Sequence, residues 1–150
     1  MKVISKSVLK IREIKNRDSK PFSVIAPNKQ WIKENCSIND LAFKWIKKLP
    51  GKYTLILKIN NKDCICKETN NSLESLGVRI PNNWFANIIE ELNIPFVTTS
   101  VNLSGESPAT DLDNMNKNIK NQVDYIIYKG KLENNPSTLI NTLTDELIIR

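Results

Sequence analysis

No histidine occurs anywhere in the 150 residues. That absence excludes a Ser/His/Asp triad, a Cys/His pair, a histidine general base and a histidine-ligated metal. Any chemistry must run on Lys, Arg, carboxylates, hydroxyls and backbone groups. That set suits the binding and polarising of phosphates better than the shuttling of protons near neutrality. Glycine is scarce too, at four residues, and neither a Walker-type phosphate loop nor a Rossmann glycine fingerprint is present. Cysteine is limited to Cys36, Cys64 and Cys66. An odd number with a two-residue spacing fits neither a disulfide framework nor the common zinc patterns, so reduced structural thiols and no metal site are expected. No apolar run approaches the length of a membrane span, and the first residues lack the apolar block of a signal peptide. A soluble, cytoplasmic chain with no membrane partner is expected.

With 40% hydrophobic residues, residues 1–150 suffice for a single globular domain with a real core. Charge is distributed unevenly. Residues 1–75 carry 16 Lys+Arg against 7 Asp+Glu, a net +9, while residues 76–150 carry 6 against 9, a net −3. A basic half invites a polyanion, either RNA or a polyphosphate ligand, although scattered lysines also simply coat a solvated surface.

Apolar residues at Val8, Ile11 and Ile14 predict a helix from Ser5 to Lys15, with Ser5 or Ser7 as its cap. It ends in Lys15-Asn16-Arg17, ahead of Lys20-Pro21. Phe22 to Ala26 reads as a short strand. Two helical pieces follow between Asn28 and Leu49, the first capped by Asn28 and the second by a capping box of Ser37 and Asp40. Their inner faces include Trp31 and Trp45, expected as packing residues. Pro50-Gly51 turns the chain into the best strand of the sequence, Tyr53 to Ile59, and Lys62 to Lys67 is expected to return as an edge strand. Glu68 to Ser75 reads as an exposed loop.

Leu76 to Pro81 places Arg79 in a short apolar strand, where a cation needs either a carboxylate partner or an anionic ligand. Asn82 or Asn83 caps a helix through Leu92. Pro95 to Gly105 then reads as a buried strand whose end delivers Thr98, Thr99, Ser100, Asn102 and Ser104. That density of neutral donors and acceptors suits a polar ligand but, on these residues alone, reads first as an ordinary strand exit satisfying local backbone groups. Asp111 is expected to cap a polar helix holding Leu112, Met115 and Ile119. Tyr125 to Tyr128 reads as a strand, and Pro136 to Asn141 as another that leads through Asp145 to Arg150. The alternation of strands and helices predicts an α/β domain on a mixed sheet.

Lys15-Asn16-Arg17 with Lys20-Pro21, Pro50-Gly51 with Thr54-Leu55, Val78-Arg79-Ile80-Pro81, Ser100-Val101-Asn102 with Ser104-Gly105, Pro136-Ser137-Thr138 and the closing Arg150 stand in order along the chain. In that order they resemble the motifs of the YrdC-like threonylcarbamoyl-AMP synthases. The resemblance implies a twisted mixed sheet flanked by helices, with a deep basic cleft. It further implies that L-threonine, bicarbonate and ATP, the last with Mg2+ and without any tightly bound cofactor, give threonylcarbamoyl-AMP and pyrophosphate. Downstream machinery would transfer the group to tRNA.

On this resemblance Lys15 and Arg17 are the catalytic cations facing the triphosphate. Lys15, Arg17, Ser75, Ser100, Asn102 and Arg150 would bind ATP, and Arg79, Thr98 and Ser137 would bind threonine. Family members open with a further strand bearing Pro-Thr-x-Thr and Tyr-Gly-Leu motifs that nothing here matches, so an N-terminally truncated or divergent member is expected. Asp18 also stands where the family usually has proline. The alternative from another class is a catalytically weak protein that binds double-stranded RNA or tRNA through the same fold. A carbamoyl-transfer domain of hydrogenase-maturation type is a third reading, less favoured because the other domains of such proteins are absent.

Overall fold

The computed structural model describes residues 5–132, 136–144 and 146–148. In chain order the elements are α1 (Ser5–Lys15), β1 (Ser23–Ile25), α2 (Lys29–Asn35), α3 (Asp40–Lys47), β2 (Tyr53–Lys58), α4 (Lys67–Asn70), β3 (Ser75–Arg79), α5 (Trp84–Leu92), β4 (Phe96–Thr98), α6 (Lys117–Gln122), β5 (Thr138–Asn141) and β6 (Glu146–Ile148). The six strands form one mixed sheet in the order β4-β1-β3-β2-β5-β6. β1 runs parallel to β3 and β2 parallel to β5, and the remaining neighbours are antiparallel.

Period-two alternation gives the sheet two unlike faces. Val24, Val78, Leu55 and Ile140 lie in register across β1, β3, β2 and β5, and Leu57 stands opposite Leu76. All are buried, packed with Ile32, Ala42, Ile46 and Leu49, and with Trp31 and Trp45 at the rim. Each such side chain taken from water contributes ~1.5 to 3 kcal/mol. α2 and α3 thus cover this face, and both tryptophans act as packing residues, as expected. The opposite face carries Ser23, Gly77, Arg79, Thr54 and Thr98 and is only half-buried at most of these positions.

Helix starts follow asparagine chemistry. Asn28 Oδ1 accepts from the Trp31 amide at 2.8 Å, as the sequence predicts. α3 is capped by Asn39, which accepts from the Ala42 amide at 2.8 Å, and not by the expected Ser37 and Asp40 box. Asn83 caps α5. α1 begins no later than Ser5, so Ser7 lies inside it and does not cap it.

Five local expectations are corrected. Residues 62–67 form no edge strand: Asn61 caps a 3₁₀ turn at Lys62–Cys64, and β2 finds its antiparallel partner in β3 instead. Residues 68–74 are not simply an exposed loop, since Thr69 and Asn70 of α4 are buried. β4 is an edge strand with Phe96 46% exposed, not a buried one. Tyr125 to Tyr128 joins no ladder among the described residues, where β4 pairs with β1 and β5 lies between β2 and β6. The helix expected from Asp111 begins at Lys117 under an Asn116 cap. Asp111 instead accepts from the Leu112 amide and the Tyr128 hydroxyl.

Candidate functional site

α1 presents Val8, Arg12 and Lys15 on its buried side. The last is only 3% exposed. Its ammonium donates to the carbonyl oxygens of Ser100 and Asn102, each at 2.5 Å, and to Asn102 Oδ1 at 3.1 Å. These acceptors engage all three donors of the group. Ser100 Oγ also donates to Asn102 Oδ1 at 2.5 Å, and Asn102 Nδ2 donates to the Glu106 carbonyl at 2.7 Å. No carboxylate neutralises the lysine among these contacts. Burial first, and the Arg17 charge second, lower its amine from its ordinary value to about 8.

Asn16 ends α1 in the left-handed region, with φ 49°, and the Arg17 amide closes back onto the Arg12 carbonyl at 3.0 Å. This is an asparagine-terminated helix stop. It turns Arg17 outward, where the guanidinium donates to the carbonyls of Lys20 and Pro21 and lies 5.2 Å from the Phe22 ring centroid.

The polar sheet face begins where the Lys15 cluster ends, since Thr98 closes β4 two residues before Ser100. Ser23 stands in register with both Thr98 and Gly77. The Ser23 and Thr98 hydroxyls are 3.2 Å apart. A Cβ on Gly77 would come within 3.2 Å of Ser23 Cβ and 3.5 Å of Thr54 Cγ2, so the missing side chain keeps the floor open between them. On the far side Thr54 and Ser137 hydroxyls bond at 2.7 Å.

Arg79 lies on the same face, one alternation beyond Gly77. Its Nε is buried and has no hydrogen-bond partner. Burial lowers its pKa from the usual guanidinium value. Among the described residues no carboxylate pairs with it. Ser75 shares this face at the start of β3, where its carbonyl accepts from Asn70 Nδ2 at 2.9 Å. Arg150 lies outside the described residues.

The structure thus joins Lys15, Ser100 and Asn102 directly, and sets Thr98, Arg79 and Ser137 on one sheet face. Sequence reasoning missed Ser23, Thr54 and Gly77 as parts of that face, and Arg12 as the anchor of the Arg17 turn. The available signals were a serine inside an otherwise apolar strand and an arginine on the Val8 face of α1, four residues on. Cys36, Cys64 and Cys66 are free thiols. Burial raises Cys36 to about 12 and Cys64 to about 11, which leaves both protonated and unreactive near neutrality. No described helix is long and apolar enough to cross a membrane.

Comparison with known proteins places these features in context. The family model Sua5_yciO_yrdC, whose description reads telomere recombination, matches residues 4–150. A protein of Methanocaldococcus jannaschii, named provisionally as a threonylcarbamoyl-AMP synthase, is 39% identical over 149 residues, covering 95% of this chain and 68% of that protein. The uncharacterized protein YciO of Escherichia coli K12 is 30% identical over 142 residues, covering 93% of this chain and 67% of YciO. The crystal structure of E. coli YciO superposes with a TM-score of 0.79 over 97% of this chain and 72% of that one. Sua5 of P. abyssi, solved in complex with L-threonine, matches in fold with a TM-score of 0.81 at 23% identity, covering 93% of this chain and 42% of that one. The chain therefore spans about two thirds of its curated relatives and about two fifths of the P. abyssi protein.

Proposed function

This chain belongs to the Sua5/YciO/YrdC family, and we propose that within it the protein is a threonylcarbamoyl-AMP synthase. Such an enzyme uses L-threonine, bicarbonate and ATP and hands its product to tRNA-modifying machinery. The observation that carries this reading is Arg79, half-buried on a polar sheet face with its Nε buried and unpartnered. A buried guanidinium nitrogen without a partner carries a desolvation cost, and a ligand carboxylate that accepts two parallel hydrogen bonds offsets it. Hydroxyl pairs on either side, Ser23 with Thr98 and Thr54 with Ser137, offer donors and acceptors to a small hydroxylated amino acid.

The chemistry asks for little from side chains as bases. The amino group forms a C–N bond to bicarbonate carbon with loss of water, and a carbamate oxygen then forms a P–O bond at the α-phosphorus as pyrophosphate departs. Both steps are served by proximity and by neutralising charge that grows on the leaving group. Arg17 and Lys15 supply the positive charge, Ser100 and Asn102 hold the nucleotide, and Mg2+ arrives with the ATP phosphates. With all three donors of Lys15 turned to the 100–102 loop, its part is to shape that loop and lend it charge. Ser75 and Arg150 complete the proposed nucleotide contacts. A histidine is not needed at any step.

Calorimetric titration tests the Arg79 assignment. L-threonine should bind the wild type and L-threoninol, which lacks the carboxylate, should not; Arg79→Ala should weaken threonine at least tenfold while leaving MgATP within about twofold. Equal losses for threonine and ATP would remove Arg79 from the amino acid site.

A further inference from the structure

Arg12 is 8% exposed and has no carboxylate partner among the described residues. All of its hydrogen bonds go to backbone carbonyls. Nη1 donates to those of Arg17 at 3.0 Å, Asp18 at 3.3 Å and Lys20 at 3.1 Å. Nε and Nη2 donate to Glu68 at 3.0 and 2.7 Å, and Nη2 reaches Thr69 at 3.5 Å. The guanidinium carbon lies 4.6 Å from the Phe22 ring centroid. One side chain therefore clamps the 17–20 turn on one side and α4 on the other. The Phe22 amide donating to the Thr69 carbonyl at 2.8 Å and Asn71 Nδ2 donating to the Ser19 carbonyl at 3.2 Å reinforce the same seam.

The geometry has an electrostatic consequence. A trans peptide holds its C=O and the following N–H in opposite directions. Carbonyls of Arg17 and Asp18 drawn in to Arg12 therefore send the amides of Asp18 and Ser19 away from it. Among the described residues no acceptor meets either amide. Two successive outward N–H groups, beside the side chains of Arg17 and Lys20, are donors of the kind that line an anion-binding nest. Asp18, exposed in the same turn, opposes that anion.

We propose that Arg12 is a positioning residue that sets the 17–20 turn so that the Asp18 and Ser19 amides meet an oxyanion of a polyphosphate ligand. The inference rests on the nucleotide-binding side of the proposed function, but not on the reaction itself. It adds neutral backbone donors to the cations already named, and gives Arg12 a reason to lie buried among carbonyls where an apolar residue would fill the helix face more simply. The bound oxyanion would be held by fixed donors that need no reorganisation.

The test uses inorganic tripolyphosphate as the probe, so that it reads the anion site whether or not the chain makes threonylcarbamoyl-AMP. In amide NMR of the wild type, tripolyphosphate should move the Asp18 and Ser19 N–H signals downfield in a saturable manner. Arg12→Gln should weaken that binding about tenfold with L-threonine binding unchanged, Arg12→Lys should recover part of it, and Asp18→Asn should tighten it. Saturable binding with the two amides unmoved would overturn the proposal. So would an Arg12→Gln protein that melts as the wild type does and binds the probe equally well. Should Arg12→Gln fail to fold, the wild-type amide shifts and the Asp18→Asn variant still decide the matter. Failure of pyrophosphate release alongside intact amide shifts would count against the synthase reading only.

Discussion

Two cations on the candidate site, the buried Lys15 and the half-buried Arg79, have no carboxylate partner among the described residues, and they differ in what they meet. Arg79 retains an unpartnered Nε, whereas Lys15 spends its donors on the 100–102 loop. Lysine titrates within reach of ordinary buffers once burial lowers it to about 8; arginine does not. The folded pKa of Lys15 lies below its unfolded value of 10.5. Its buried charge therefore costs stability below the folded pKa, and that cost fades as pH rises between the two values. Ligand binding runs the other way, since the charge that favours a polyphosphate disappears in the same direction. MgATP affinity should fall from about pH 7 to about pH 9 in the wild type, and Lys15→Gln should remove that inflection. Titrations with an identical slope in both proteins would contradict the role given to Lys15.

At the scale of elements, the sequence is most legible where a single local rule decides. Asn28 announces α2, the apolar run at Tyr53–Lys58 announces β2, and the helical stripe of α1 is plain from Val8 onward. Asn39 was passed over because Ser37 and Asp40 have the spacing of a capping box, yet Asn39 does two jobs. Its Oδ1 caps α3 and its Nδ2 donates to the Thr142 carbonyl at 2.8 Å, tying α3 to the chain just after β5. Asn39→Ala should therefore cost more than a simple cap, about 1 to 2 kcal/mol. Urea unfolding measures it, and a loss no greater than that of Asn28→Ala would separate the tie from stability. Tyr125 to Tyr128 failed for the opposite reason: strand propensity is ample, but pairing needs a neighbour, which composition cannot supply. The Arg12 clamp was equally hidden, because its acceptors on α4, those of Glu68 and Thr69, lie 56 and 57 residues away.

For the molecule as a whole, the mixed sheet and its two unlike faces follow from motifs and alternation that a reader of the sequence can follow, and the family likeness extends across residues 4–150. The pairing order does not follow: β1 sits between β4 and β3, and β2 between β3 and β5, through contacts that no short window contains. That order is what gathers Ser23, Thr98, Gly77, Arg79, Thr54 and Ser137 onto one face. The charge imbalance between the halves supports a polyanionic ligand without saying which, so catalysis must separate the synthase from a module that only binds RNA.

The most direct measurement is pyrophosphate release by the purified chain with ATP, Mg2+, L-threonine and bicarbonate, each omitted in turn. Release that requires both threonine and bicarbonate, and is lost in Lys15→Ala and Arg79→Ala, is the predicted result. Release independent of threonine, or none from a folded chain that still binds RNA with a steep salt dependence, would contradict the account.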